Sequence, residues 1–176
     1  MNTMSIEKAV LAGGCFWGVE ELIRDLPGVQ STVVGYTGGD VPNATYRHHG
    51  SHAEGIEITF DSTRLSYRKL LEFFFQIHDP TTLNRQGNDR GASYRSAIFY
   101  HDAEQQRLAE ASKQELEASG RFSQPIVTEI VAAATFYPAE EYHQKFYLKN
   151  PEHYAAYSAG CGRDARLAQI WGTSSQ

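Results

Sequence analysis

The spacing of apolar and polar positions changes character several times along the chain, and each change falls at glycine, proline or asparagine. Residues 6–12 read as a short buried strand, broken by Gly13-Gly14. From residue 16 to 26 the period lengthens. Val19, Leu22, Ile23 and Leu26 then share one helical face, and Pro27-Gly28 ends it. Residues 29–36 are rich in β-branched side chains and read as a second strand. In residues 54–60, Ile56, Ile58 and Phe60 alternate with Glu57 and Thr59, the mark of a half-buried third strand. Residues 66–77 carry a broad apolar helical face of Leu70, Leu71, Phe73, Phe74 and Ile77, closed by Asp79-Pro80. A strand at 96–100, a polar-faced helix at 103–119, a strand at 125–132 and a short helix at 139–148 follow. From Asn150 the chain is loop-like, with a helical turn at 164–170.

The first six elements run β-α-β-β-α-β, the order of a split βαβ arrangement. The reading is therefore α+β, a ferredoxin-like core with additional helices and a strand and a loop-rich C-terminal tail. Residues 1–150 make up the α+β body, and residues 151–176 a tail belonging to the same domain. Two stretches, 38–52 and 81–94, lack an apolar period. Loops of that length in a compact domain are often functional.

Composition narrows the classes. The chain has 176 residues, 41% hydrophobic and 12% aromatic, enough for one sizeable core. A net charge of −5 without a basic run gives no footprint for nucleic acid. Residues 1–14 lack the apolar stretch of a signal peptide, and nothing approaches the roughly 20 apolar residues of a membrane span. A cytoplasmic location is the expectation. The two cysteines, Cys15 and Cys161, have no second Cys or His at ligand spacing, so no metal or other cofactor is expected.

Cys15 stands where a buried strand meets a helix N-terminus. Unpaired N–H groups and the helix dipole there favour a thiolate. The same position equally suits a small buried hydrophobe closing a turn. Phe16 and Trp17 cannot share one helix face; they wall a small apolar pocket or pack in the core. Glu54 falls on the apolar face of its strand, where desolvation would raise its pKa and suit a general acid, unless it is an exposed strand end. Asp89, in the polar turn 84–91, orients a catalytic group or closes an Asx turn. Tyr94 and Tyr46 present phenols to a polar substrate atom or pack. His52 and His143 are candidate acids, bases or ligands.

Taken together, the segments resemble one family. Gly13-Gly14-Cys15-Phe16-Trp17-Gly18 is similar to the signature of the peptide methionine sulfoxide reductase A family. Gly35-Tyr36-Thr37-Gly38-Gly39, Asn43-Ala44-Thr45-Tyr46, His52-Ala53-Glu54, His78-Asp79-Pro80-Thr81, Gln86-Gly87-Asn88-Asp89, Tyr94-Arg95-Ser96 and Ala139-Glu140-Glu141-Tyr142-His143-Gln144 follow in the family's order, across roughly residues 6–148. The resemblance implies that Cys15 is the nucleophile and that Phe16 and Trp17 hold the substrate's methyl group. It implies that Glu54 protonates the sulfoxide oxygen, that Tyr46 and Tyr94 bind that oxygen, and that Asp89 supports them. It further implies reduction of the S epimer only, thioredoxin as reductant, and a monomer. A second thiol must reduce the sulfenic acid left on Cys15, and Cys161 is the other cysteine of the chain. Some relatives carry a further Cys in a longer loop before the counterpart of Glu54. Here that stretch is Arg47-His48-His49-Gly50-Ser51.

Two other classes compete. A cysteine hydrolase would use Cys15, His52 and Asp89 as a triad, an order that sequence does not exclude. A ferredoxin-like binding module would carry the thiols incidentally.

Overall fold

A computed structural model describes residues 5–45, 47–86, 89–122, 124–152 and 154–156; Tyr46 and Cys161 lie outside the described residues. The elements are β1 Ile6–Gly13, α1 Phe16–Ile23, β2 Val29–Thr37, β3 Ala53–Asp61, α2 Tyr67–Gln76, β4 Arg85–Gln86, β5 Asp89–Arg90, β6 Ser96–Tyr100, α3 Ala103–Ala118, β7 Glu129–Ala132, β8 Tyr137–Pro138 and α4 Phe146–Lys149. Six strands form one sheet in the order β7-β6-β1-β3-β2-β8. Its inner four, β6-β1-β3-β2, are antiparallel neighbours, which is the split βαβ core. The α3 crossover adds β7 parallel to β6, and β8 pairs with the far end of β2. The fold is thus α+β on a ferredoxin-like core, as the order of elements implied.

The period-two pattern sets which side chains meet. Leu11 pairs with Ile56 across β1 and β3, and Val34 with Ile56 across β2 and β3. One face of the sheet gathers Ala9, Leu11, Val34, Tyr36, Ile56, Ile58 and Phe60 under Phe16, Val19 and Ile23 of α1 and Leu70, Leu71 and Phe74 of α2. Each of the buried Leu, Ile, Val and Phe side chains contributes roughly 1.5–3 kcal/mol of transfer free energy. The opposite face carries a smaller cluster of Val10, Ala12, Ala53, Ala97 and Phe99. Helix starts follow their sequence: Ser66 accepts from the Lys69 N–H at 3.1 Å, and Asp102 from the Gln105 N–H at 2.8 Å.

Several expectations shift. The first helix ends at Ile23, short of residue 26. The loop 81–94 contains a two-residue hairpin, β4–β5, and a one-turn helix at Ala92–Tyr94. Of 125–132, Glu129–Ala132 alone forms a strand. The helix expected at 139–148 is two pieces, Glu141–His143 and Phe146–Lys149, separated by Lys145 with φ +53°. Past Asn150, residues 151–152 and 154–156 are helical instead of loop-like, and the Tyr154 hydroxyl reaches Glu21 at 3.5 Å.

Candidate active site

The site forms where β1 hands over to α1. Gly14 has φ +100°, a conformation open to glycine, and it turns the chain out of the sheet. Cys15 then caps α1 with φ −57° and ψ 127°, and its carbonyl accepts from the N–H groups of Gly18 and Val19 at 3.2 and 3.3 Å. No acidic residue stands in the first turn of α1 itself. The carboxyl that meets this helix start comes from β3: Phe16 N–H donates to Glu54 Oε1 at 3.2 Å. The Cys15 thiol hydrogen-bonds the same carboxyl. Cys15 is 6% exposed and Glu54 2%.

Glu54 is there because β3 alternates. Its side chain shares the face of Ile56 and Ile58, one residue pair beyond the apolar core. Burial pushes its pKa up, and the Phe16 N–H opposes that by stabilising the carboxylate. The charge of Asp89 pushes it up further, and the Cys15 thiol lowers it. The net result is about 8, so Glu54 holds a proton at neutral pH. Asp89 occupies β5 directly opposite Gln86 of β4. Gln86 is buried, with its side chain bound to the Asp79 backbone: it accepts from the N–H at 2.8 Å and donates to the carbonyl at 3.0 Å. His78 ties the same corner to the sheet, with Nδ1 at 2.7 Å from the Phe74 carbonyl and Nε2 at 2.7 Å from Ser96 Oγ.

Aromatic side chains enclose the thiol end of α1. Phe16 is fully buried, 5.6 Å from the Tyr36 ring and 5.2 Å from the His143 ring. Trp17 is half-buried and stacks on Phe146 at 3.9 Å with the rings 7° from parallel. Its indole N–H donates to His143 Nδ1 at 2.9 Å. The two adjacent aromatics therefore divide the work, Phe16 entering the core and Trp17 lying at its margin. Tyr94 packs at the edge of the main core.

Four residues at the site had no role in the sequence reading: Tyr36, Glu140, Phe146 and Arg95. Tyr36 is wholly buried and sits opposite Glu54 in the β2–β3 register. Its hydroxyl donates to Glu140 Oε1 at 3.0 Å. Burial, that bond and the charges of Glu140 and Glu54 raise its pKa well above the usual phenol range. The signal available in sequence was the pair of motifs at 35–39 and 139–144, which strand register brings together. Arg95 joins the two long loops. Its Nη1 donates to the carbonyls of Ser51 and Ala92 at 2.9 and 2.8 Å, and its Nη2 to that of Gly38 at 3.4 Å.

His52 is committed elsewhere. Its Nδ1 accepts from the Gly39 N–H at 2.9 Å, which leaves Nε2 to donate to the Val41 carbonyl at 2.7 Å. Both ring nitrogens thus serve the base of the 38–52 loop, so the Cys15–His52–Asp89 triad is not assembled. A Cβ at Gly39 would lie 2.2 Å from the His52 nitrogen, which explains glycine there. Cys161 and Tyr46, both candidates from the sequence, lie outside the described residues.

The family profile described as peptide methionine sulfoxide reductase matches residues 7–175. A peptide methionine sulfoxide reductase MsrA from Leifsonia xyli subsp. xyli is 62% identical over 151 residues, 86% of this chain and 89% of that protein. Among solved structures, Mxr1 from Saccharomyces cerevisiae in reduced form superposes with a TM-score of 0.78 at 34% identity, covering 84% of this chain and 87% of that one. The same yeast protein in complex with Trx2 gives a TM-score of 0.60 at 27% identity, covering 80% and 88%.

Proposed function

This chain belongs to the peptide methionine sulfoxide reductase family, and on that premise we propose that it reduces the S epimer of methionine sulfoxide in proteins, and free, to methionine, a repair of oxidised protein in the cytoplasm. The observation that carries the reading is a single contact: a buried thiol hydrogen-bonded to a buried carboxyl whose pKa of about 8 leaves it protonated at neutral pH. A cysteine hydrolase would need an imidazole beside its thiol, and His52 is instead bound to Gly39 and Val41. A sulfoxide reductase needs an acid there, because the sulfoxide sulfur is a poor electrophile until its oxygen gains a proton.

The substrate's methyl lies against Trp17, with Phe16 packed in the core behind it, and its oxygen points at Glu54, with Tyr46 and Tyr94 as further donors and Asp89 supporting them. Glu54 passes its proton to the oxygen while Cys15 attacks sulfur. The oxygen moves to the Cys15 sulfur as S–OH, the thioether departs, and the thiol's proton restores Glu54. Sulfoxide plus thiol thereby becomes thioether plus sulfenic acid. The Cys161 thiol then displaces water from that sulfenic acid, giving a Cys15–Cys161 disulfide. A dithiol reductant of the thioredoxin type exchanges with the disulfide and returns both thiols. The yeast relative's complex with Trx2 supports that choice of reductant. The cycle needs one copy of the chain, so a monomer suffices.

The deciding experiment is turnover of resolved sulfoxide epimers with dithiothreitol. One fixed arrangement of thiol, acid and methyl slot accommodates one configuration at sulfur. The S epimer should be consumed and the R epimer left. Equal rates on both would refute the reading.

A further inference from the structure

The indole of Trp17 is held by two independent restraints, and both come from one short segment. Stacking on Phe146 at 3.9 Å fixes the plane of the ring. Stacking alone permits rotation within that plane. The bond from the indole N–H to His143 Nδ1 at 2.9 Å removes that freedom. His143 is itself buried and tethered. It is 1% exposed, and its backbone N–H donates to the Glu140 carbonyl at 2.9 Å. Its ring sits between Phe16 at 5.2 Å and Tyr142 at 4.1 Å.

The segment is anchored to β2 just before the break and to α1 at Lys145 itself. The Gln144 side chain accepts from the Val34 N–H at 2.9 Å and donates to the Val34 and Ala139 carbonyls, each at 2.9 Å. The Lys145 N–H donates to Glu20 Oε1 at 2.7 Å, and Glu20 is fully buried. A helix running through 139–148 would direct His143 and Phe146 along one regular spiral. The left-handed Lys145 instead brings one residue to the edge of the indole and the other to its face.

We propose that His143 is a positioning residue that sets the in-plane orientation of the Trp17 indole and so determines which alkyl group on the sulfoxide sulfur is accepted. The inference rests on the reading of Trp17 as the wall of the methyl slot. His143 touches no reacting atom. It acts as an acceptor, which requires Nδ1 to be unprotonated, and burial lowers its pKa in the direction that keeps it so. Freed of this acceptor, the indole turns about its stacking axis and the slot widens. Discrimination between methyl and larger groups is then lost before the chemistry is.

The test uses the full chain and two substitutions. His143→Asn places an amide oxygen near the position of Nδ1 and keeps an acceptor; His143→Leu keeps bulk and removes it. Single-turnover rates are measured on the S epimers of a methyl aryl sulfoxide and its ethyl counterpart. His143→Leu should lower the methyl-to-ethyl preference about tenfold, mainly through a raised KM for the methyl substrate. That is the size expected from one hydrogen bond and one methylene. His143→Asn should retain the preference within about threefold. In a Trp17→Phe background, which keeps a stacking ring but has no N–H, His143→Leu should change the ratio no further. An unchanged ratio in His143→Leu, equal damage from Asn and Leu, or a full effect in the Trp17→Phe background would each overturn the proposal.

Emission from Trp17, read with Trp171→Phe to leave one tryptophan, follows the indole without any reaction. It should shift in His143→Leu and stay in His143→Asn. Wild-type protein inert towards every sulfoxide would therefore reject the proposed reaction, while the emission comparison would still decide whether His143 holds the indole.

Discussion

Replacing Glu54 by Gln keeps the volume of the side chain and removes both its transferable proton and its titration. A carboxyl at its ordinary pKa of 4.5 is protonated in roughly one molecule in 300 at pH 7; at about 8 it is protonated in roughly nine of ten. Burial thus raises the supply of acid by a factor of ~300. Losing the proton should slow the single-turnover reduction by about 10²–10⁴ at pH 7. Above pH 8 the wild type should lose its advantage by about tenfold per pH unit. The thiol touches Glu54, so its titration is measured in each variant by alkylation of Cys15 and divided out of each rate before the ratio is taken. Stability gives a second, independent reading. The folded pKa lies above the unfolded one, so the stability linked to Glu54 is complete below about pH 4.5 and is lost as pH rises to about 8. At roughly 1.4 kcal/mol per pKa unit, the loss is on the order of a few kcal/mol. The Glu54→Gln variant does not suffer it. Its melting temperature should therefore gain on the wild type steadily between pH 5 and 8 and no further above. A melting difference independent of pH, together with a rate ratio flat through pH 8, would refute the assignment of a buried neutral acid.

Three other perturbations test separate parts of the scheme. Cys15→Ser should form no methionine even stoichiometrically, as measured in a single turnover with excess enzyme. Cys161→Ser should keep the stoichiometric burst but lose turnover supported by thioredoxin; mass spectrometry should find an intramolecular disulfide in the wild type and a sulfenic acid in the variant. Full thioredoxin-dependent turnover by Cys161→Ser would make Cys161 a bystander. Glu20→Ala leaves the Lys145 N–H and the Thr32 hydroxyl without their carboxylate acceptor, and should cost about 1–3 kcal/mol in denaturant unfolding. An effect below ~0.5 kcal/mol would show that α4 is anchored by other contacts.

The parts of this molecule that read well in sequence are those governed by local periodicity. Alternation in 54–60 placed Glu54 on the face of Ile56 and Ile58, and the strand-to-helix break at Gly13-Gly14 placed Cys15 at the start of α1. Elements set by tertiary partners did not read. β4, β5 and β8 have two residues each, too few to show a period. Residues 139–148 are amphipathic enough to suggest one helix, yet Glu20 and Val34 take the backbone and side-chain groups of 144–145 and break it. Tyr36 meets Glu54, and His143 meets Trp17, through strand register and chain return respectively; neither is a property of a short window.

The central place of β1 also bears on how the molecule is born. This first strand has no sequence neighbour at its sides: Leu11 lies against Ile56, and Gly13 against Ser96. A ribosome adding about 5–20 residues per second needs roughly 4–16 s to go from the cysteine to the strand that closes the far side of β1. During that interval Cys15 is exposed on an incomplete chain, and Glu54, added partway through, is an ordinary carboxylate until it is buried. The contact between Cys15 and Glu54 therefore waits on the long-range pairing of β3 with β1, and the burial that raises the Glu54 pKa comes with it. A truncated product ending before residue 96 would carry both residues yet lack the strand that completes their setting.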